Sequence, residues 1–199
     1  THKGSLCNAY LSNPRSVFVS GNHAYVASSN SNALEIVDIT NPANPVHSGS
    51  ISNGAGGAAL SFPQSVFISG NYAYVASYGS NALEIVNVVN PANPVHLNSI
   101  SNAHLENPQS VVVSGNYAYV ASYGSNGLEI VNVANPSAPV HTYFMPIDTP
   151  SSVFISGNFA YVTSSGGDSL EIVDVSNPAV PVRTGGISSA NLSNPQSVY

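Results

Sequence analysis

The sequence has few charged residues and almost no cysteine. Charged side chains make up 6% of its 199 residues, and three bases against nine acids give a formal net charge of -6. A protein that binds nucleic acid needs a basic surface to neutralise phosphates, so this composition excludes nucleic acid as a partner. Cys7 is the only cysteine, so the chain forms no internal disulfide.

Long apolar runs and helical periodicity are also missing. Hydrophobic residues make up 43% of the chain, which argues against disorder, but they occur in short runs broken by Gly, Pro and Asn. No run approaches the roughly 20 apolar residues that a membrane-spanning helix needs, so we expect no membrane insertion of the visible chain. No segment keeps a helical period over a useful length, which predicts an all-β fold.

The sequence instead contains one unit repeated four times. Each unit has a Ser-Val start that runs into Ser-Gly-Asn, then Leu-Glu-Ile-Val followed by Asp or Asn, then Asn-Pro-x-x-Pro-Val. In the first unit these blocks begin at Ser16, Leu34 and Asn41. Gly-Asn closes a hairpin and proline cannot continue a strand ladder. Each unit is therefore predicted to form four strands, which we call a to d.

Units of this length with four strands are typical of β-propeller blades. The Leu-Glu-Ile-Val-Asp block, with Gly-Asn-x-Ala-Tyr-Val-Ala before it and Asn-Pro-x-x-Pro-Val after it, resembles the LVIVD repeat family. The resemblance covers nearly the whole chain. It implies a β-propeller in a bacterial or archaeal surface or secreted protein, hence an extracellular or cell-surface location, and it carries over no catalytic residue.

The predicted architecture is an all-β arc of a larger propeller, with four complete blades and partial blades at both ends. The ranges are an outer strand of a preceding blade at 1–12, blades at 13–61, 62–106, 107–149 and 150–193, and the start of a further blade at 194–199. Uncovered blade faces and strand edges favour association, so a fragment of this kind is expected to self-associate end to end.

Both faces of an interior blade are covered by neighbouring blades, so residues on both faces should be buried. We predict burial of Val17, Tyr25, Ile36 and Val37, and of their equivalents in later units. Asp38 and its equivalents are Asp in two units and Asn in the other two, which predicts a hydrogen bond to the backbone of the following proline turn.

The connections between strands divide into a uniform set and a variable set. Length varies only in strand d and in the d–a connection, whereas the segment from strand a to the first proline has one length in all four units. Successive strands run up and down, so the d–a and b–c connections share one face. A rigid scaffold commonly carries its function on such loops.

Nine residues on this face form the candidate ligand-binding site. Residues that enter strand a should converge on the mouth of the central channel, because strand a lies nearest the axis; the b–c loops add two tyrosines and the d–a loops three polar residues. The candidates are Arg15, Gln64, Gln109, Ser151, Tyr78, Tyr123, His104, Glu106 and Asp148. An ordinary hydrophilic rim is the alternative interpretation.

Two further series repeat along the chain, one acidic and one of histidine. They are Glu35, Glu84, Glu129 and Glu171, and His2, His47, His96 and His141 with Arg183 in the last unit. Glutamates on neighbouring blades should be about 10 Å apart or more, too far to share one calcium, and outer strands diverge. We therefore predict no metal site, a hydrogen-bonding or solvent-facing role for the glutamates, and a polar outer-strand role for the histidines.

No catalytic motif accompanies the repeats. The sequence has no Gly-x-Ser-x-Gly elbow, no His-Glu-x-x-His and no phosphate-binding glycine loop before a helix, and it indicates no cofactor. It favours a non-enzymatic binding module for a protein or glycan ligand on the loop face. Two alternatives stay open: a propeller enzyme with catalytic groups at the channel mouth, and a structural spacer.

Overall fold

The computed structural model describes residues 4–7 and 11–199 and contains four antiparallel sheets, each of four strands in chain order. Blade 1 comprises β1 (Pro14–Ser20), β2 (His23–Ser28), β3 (Ala33–Asp38) and β4 (Val46–Ser52). Blade 2 comprises β5 (Pro63–Ser69), β6 (Tyr72–Ser77), β7 (Ala82–Asn87) and β8 (Val95–Ile100). Blade 3 comprises β9 (Pro108–Ser114), β10 (Tyr117–Ser122), β11 (Gly127–Asn132) and β12 (Val140–Pro146). Blade 4 comprises β13 (Pro150–Ser156), β14 (Phe159–Ser164), β15 (Ser169–Asp174) and β16 (Val182–Ser188).

This arrangement confirms the predicted β-propeller blades. Apart from the strands, the described residues contain two short 3-10 turns, Ala55–Gly57 and Ala190–Leu192. No helix in the described part of the chain has the length and hydropathy to cross a membrane. Residues 4–7 form no strand, and residues 1–3 and 8–10, including the predicted outer-strand residue His2, lie outside the described part.

Local turn chemistry shapes each blade. The a–b hairpin of blade 1 turns at Gly21, whose φ of 56° lies in the left-handed region that glycine adopts without a steric penalty. After strand c, Asp38 Oδ1 accepts a hydrogen bond of 2.8 Å from the backbone N–H of Thr40. Hydrogen bonding to Thr40 lowers the pKa of Asp38 from its ordinary value. The same bond recurs at Asn87, Asn132 and Asp174, which confirms the predicted backbone-capping role.

Neighbouring blades are joined along their inner strands. The serine that starts each Ser-Val block accepts a hydrogen bond from the valine N–H of the next blade: Ser16 Oγ from Val66 at 3.3 Å, and Ser65 Oγ from Val111 at 3.2 Å. Val198 N–H donates to Ser152 Oγ in the same way. The inner strands β1, β5, β9 and β13 contact one another in that order, so they line the axis around which the blades are arranged.

The core lies between the blades. Tyr25 and Ile36 of blade 1 pack with Phe18, whose ring centroid is 4.8 Å from that of Phe67 in blade 2. The prediction of burial is confirmed for Tyr25, Ile36 and Val37, and for their equivalents in blades 2 and 3. Strands b and c therefore supply most of the packing surface of each blade.

The prediction that Val17 is buried is wrong. Val17 is 61% exposed, while its equivalents Val66, Val111 and Val153 are buried. The inner-strand valine points towards the preceding blade, and no described blade covers that face of blade 1. No described blade covers the opposite face of blade 4, so Phe154 is 38% exposed and the equivalents of Tyr25 and Ile36 are only half-buried.

The difference in burial between interior and terminal blade faces predicts different losses of stability for two truncated side chains. Ile85→Ala removes a fully buried side chain between blades 2 and 3 and should lower the free energy of unfolding by about 2–4 kcal/mol. Val17→Ala should change it by less than about 0.5 kcal/mol, because Val17 is exposed. Urea denaturation of both variants checks this, and equal losses would contradict the assigned packing.

Candidate functional site

The residues that enter strand a meet in one polar cavity at an end of the axis. This cavity has a volume of about 340 Å³. Its lining consists of Arg15, Gln64, Gln109, Tyr123, Ser151, Ser165, Asn194 and Gln196. Five of the sequence candidates therefore lie around a single space, with at least one residue from each of the four blades.

A second cavity adjoins the first on the side of blades 1 and 2. Its volume is about 470 Å³. Its lining consists of Asn13, Arg15, Ser29, Asn30, Phe62, Gln64, Tyr78 and Gln109. Arg15, Gln64 and Gln109 line both cavities, so the two spaces are continuous at these side chains. We refer to them as the polar cavity and the aromatic cavity.

A repeated hydrogen bond holds the rim of both cavities. In each blade, the residue before the strand-a proline has a positive φ. From the second blade onwards, the N–H of this residue donates a hydrogen bond to an Asn or Asp side chain in the b–c loop of the preceding blade. Phe62 N–H donates to Asn32 Oδ1 at 2.8 Å, and Asn107 N–H donates to Asn81 Oδ1 at 2.9 Å. Thr149 and Asn194 repeat the contact with Asn126 and Asp168. This bond fixes where strand a begins, and so where the lining side chains start.

The four residues at the strand-a entrances differ in the hydrogen-bonding capacity that they leave free. Ser151 Oγ donates to the main-chain oxygen of Pro195 at 2.6 Å, so it holds the segment that carries Gln196. Gln64 Nε2 donates to Phe62 O at 3.0 Å, which leaves its carbonyl oxygen available. Gln109 and Arg15 have no side-chain hydrogen bond or ion pair to another described residue. A bound molecule would find one cation, the side-chain amide of Gln109 and the amide oxygen of Gln64 available.

Three sequence candidates lie outside both cavities. The ring of His104 stacks on Phe144 at 4.3 Å and lies 5.3 Å from the ring of His141, on the outer strand of blade 3. The next residue, Leu105, is fully buried. The turn that places Leu105 in the core points the side chain of His104 away from the channel. Glu106 and Asp148 are exposed on the rim, where their main-chain oxygens accept bonds from Gly124 and Ser164.

Sequence reasoning missed several lining residues. Gln196 occupies the same repeat position as Gln64 and Gln109, so continuing the series into residues 194–199 would have found it. Phe62 replaces the Asn found at Asn13 and Asn107, and this departure from the repeat was its signal. Both residues contribute to a cavity only because the blades curve around the axis.

The repeated glutamates form a second set of titratable groups, far from the cavities. Glu84 is fully buried, and its Oε1 lies 2.6 Å from His96 Nδ1, while its Oε2 accepts a bond of 2.9 Å from the N–H of Ala59. Glu35 pairs with His47 and Glu129 with His141 in the same way, and Glu171 pairs with Arg183 at 3.4 Å. The predicted hydrogen-bonding role of the glutamates is confirmed, with the histidine series as their partners.

Burial and hydrogen bonding act in opposite directions on Glu84. Loss of water raises the pKa of its carboxyl, while the bonds from Ala59 and His96 lower it, and burial has the larger effect. Because Ala59 belongs to the connection leaving blade 1, this carboxylate ties one blade's exit loop to the next blade. The spacing of twelve positions between Glu and His in blades 1 to 3 could have revealed the pairing from the sequence.

The described ranges, 4–7 and 11–199, hold no group of three His, Cys, Asp or Glu arranged to bind a metal ion. Among those residues, neither cavity is lined by a carboxylate or an imidazole. The chemistry available at the cavities therefore comes from a guanidinium, side-chain amides, hydroxyls and two tyrosines.

Comparison with known proteins identifies the repeat and the fold. The LVIVD repeat family matches residues 13–53, 63–101, 107–143 and 149–187. The sequence matches no curated protein significantly.

Three solved structures show the fold. A putative 6-phosphogluconolactonase from Bacteroides uniformis is 15% identical with a TM-score of 0.76, over 94% of this chain and 60% of its own. A periplasmic gluconolactonase from Pseudomonas aeruginosa is 14% identical with a TM-score of 0.75, over 92% and 55%. A protein from Lactobacillus plantarum is 18% identical with a TM-score of 0.76, over 88% and 57%. The chain thus spans somewhat over half the length of these proteins.

These structures correct the functional expectation. The sequence favours a non-enzymatic binding module, and that interpretation is wrong as the leading one, because proteins described as lactonases share the fold. At this level of identity the likeness establishes the fold, and the named activities are those of the other proteins.

Proposed function

This chain belongs to the LVIVD repeat family, and from the cavity at its axis we propose that it is part of a propeller enzyme. Its substrate site is the polar cavity, and its substrate is a small polyhydroxylated lactone. The observation that carries the proposal is the convergence of Arg15, Gln64, Gln109 and Gln196 on one space of about 340 Å³. That volume falls within the roughly 300–1,000 Å³ of small-molecule sites.

The lining fits a sugar-derived substrate better than an apolar one. Amides and hydroxyls can donate to and accept from several hydroxyl groups at once, and Gln109 has no competing partner in the described chain. Among the described residues that line the cavities, Arg15 is the only cation. It can bind a carbonyl oxygen or an anionic group with its fork of N–H donors.

Hydrolysis of a lactone adds water across the ring ester. The water oxygen bonds to the carbonyl carbon, the ring C–O bond breaks, and the ring oxygen keeps the electron pair and takes a proton. The negative charge that builds on the carbonyl oxygen is stabilised by donors aimed at it, which is the role of the Arg15 guanidinium. No carboxylate or imidazole lines the site within the described residues, so the proton of the attacking water leaves to solvent.

This chemistry makes a specific prediction for activity. The protein should hydrolyse glucono-δ-lactone or its 6-phosphate faster than δ-valerolactone, which lacks hydroxyl groups, by at least about tenfold in kcat/KM. A pH-stat assay measures this after subtraction of the buffer rate. The pH profile should lack an inflection between about pH 5 and 8, because histidine and carboxyl bases are missing from the lining.

Two outcomes would overturn the proposal. Rates equal to the buffer rate with all three lactones would exclude lactone hydrolysis. Equal acceleration of the hydroxylated lactones and δ-valerolactone would show that the amides and hydroxyls of the polar cavity do not select the substrate.

A further inference from the structure

Phe62 is an aromatic residue at a repeat position that carries Asn or Thr elsewhere in the described chain. It has φ of 47°, in the left-handed region that bulky residues rarely adopt. The equivalent positions are occupied by Asn13, Asn107, Thr149 and Asn194, and asparagine tolerates this conformation through local hydrogen bonds. A phenylalanine here is strained, and strained residues concentrate at functional sites.

Core packing does not explain the phenylalanine. Phe62 is 48% exposed, so burial gives its ring only part of the stabilisation that a fully buried ring has. The ring lies over Gly79, where an added Cβ would come within 2.8 Å of Phe62 Cδ2, next to Tyr78. Phe62 and Tyr78 both line the aromatic cavity. The structure therefore holds two aromatic side chains at the opening beside Arg15.

The surroundings of these rings define the chemistry that fits them. Asn30, Ser29 and Gln64 line the same cavity, so polar groups surround the aromatic faces. A sugar ring presents a flat face of C–H bonds and a rim of hydroxyls, and aromatic residues with polar neighbours suit such amphipathic surfaces. The two cavities share Arg15, Gln64 and Gln109, so one molecule can occupy both.

We propose that the aromatic cavity is a subsite for a second sugar ring, so that the substrate is a disaccharide-sized sugar lactone. The lactone ring lies in the polar cavity, and the attached sugar lies against Phe62 and Tyr78. This inference rests on the proposed function of the polar cavity. The strain at Phe62 is retained because its ring increases affinity for the second sugar.

The test uses product acids as stable probes. Isothermal titration of the intact chain compares gluconate with cellobionate, which is gluconate carrying one β-linked glucose. Cellobionate should bind about tenfold more tightly, the largest gain expected from one aromatic contact. Phe62→Asn should remove most of this gain, and Phe62→Tyr should keep it.

The melting temperature of the same variant gives a second test, because a purely structural role for Phe62 predicts a shift in the opposite direction. Phe62→Asn should raise the melting temperature by about 2–4 °C, because asparagine relieves the strained backbone. Asn107→Phe, the converse change at the equivalent position of blade 3, should lower it. A lower melting temperature for Phe62→Asn would show that Phe62 stabilises the fold and would overturn the proposal.

The binding outcomes separate the subsite from the proposed function. Equal affinities of the wild-type protein for gluconate and cellobionate would overturn the subsite and leave the function of the polar cavity standing. Binding of phenyl β-glucoside that is lost in Phe62→Asn, without binding of gluconate, would support the subsite and overturn the lactone site. Absence of binding by all three probes would overturn both.

Discussion

Replacement of Arg15 by glutamine is expected to lower kcat/KM for sugar-lactone hydrolysis by about 100-fold or more. Within the described part of the chain, Arg15 is the only cation that lines either cavity, and loss of one donor to a developing oxyanion typically costs a factor of roughly 100–1,000. Glutamine keeps much of the length and polarity of arginine and removes the charge. Arg15→Lys should give an intermediate rate, because it keeps the charge but loses the planar fork.

The chain contains a matched control. Arg183 is the only other arginine; it lies on the outer strand of blade 4, where it pairs with Glu171 and donates to the main-chain oxygen of Pro146 at 2.9 Å. Arg183→Gln should leave kcat/KM unchanged at a temperature where both variants are folded. A similar loss in the two variants would show that the effect of Arg15→Gln is not specific to the cavity.

Replacement of His96 by alanine is expected to lower the free energy of unfolding by about 3 kcal/mol. Among the residues that the structure describes, His96 supplies the only side-chain bond to Glu84, which is fully buried. Removing one partner of a buried pair leaves a desolvated carboxylate. Burial already raises the pKa of Glu84, so the stability that this group contributes declines as the pH rises through that pKa. Loss of His96 raises this pKa further, so the deficit should shrink at lower pH.

Chemical denaturation at several pH values measures this effect. His23→Ala is the control, because the half-buried His23 ring contacts Tyr25 and has no buried acid to leave behind; it should cost less than about 0.5 kcal/mol. The double variant Glu84→Leu with His96→Leu should recover part of the loss, since removing both charges also removes the desolvation cost. An unfolding curve of His96→Ala that overlays the wild type would contradict the pairing.

The repeat made the fold predictable because each block has a local cause. The turn at Gly21, the proline turn that begins at Asn41 and the alternating side-chain directions along each strand depend on residues only a few positions apart. These local structures can therefore be predicted from the sequence. The convergence of Arg15, Gln64 and Gln109 was predictable for a related reason: repeat positions that are equivalent in sequence are related by rotation about one axis.

The features that the sequence did not predict depend on contacts between different strands or different blades. Exposure of Val17 depends on whether a neighbouring blade covers it, which its own strand does not reveal. The pairing of Glu84 with His96 joins two strands, and each series taken alone suggested only a polar position. His104 was expected at the channel, but burial of the adjacent Leu105 directs it outward. The role of Phe62 became visible only through its backbone angle.

The central claim is that the polar cavity is the substrate site, and a crystal structure of the protein soaked with gluconate tests it most directly. The account predicts the acid in the polar cavity, with an oxygen within hydrogen-bond distance of the Arg15 guanidinium and hydroxyls bonded to Gln64 and Gln109. Gluconate bound instead at the proline turns on the opposite face, or a polar cavity holding only water at saturating gluconate, would contradict it.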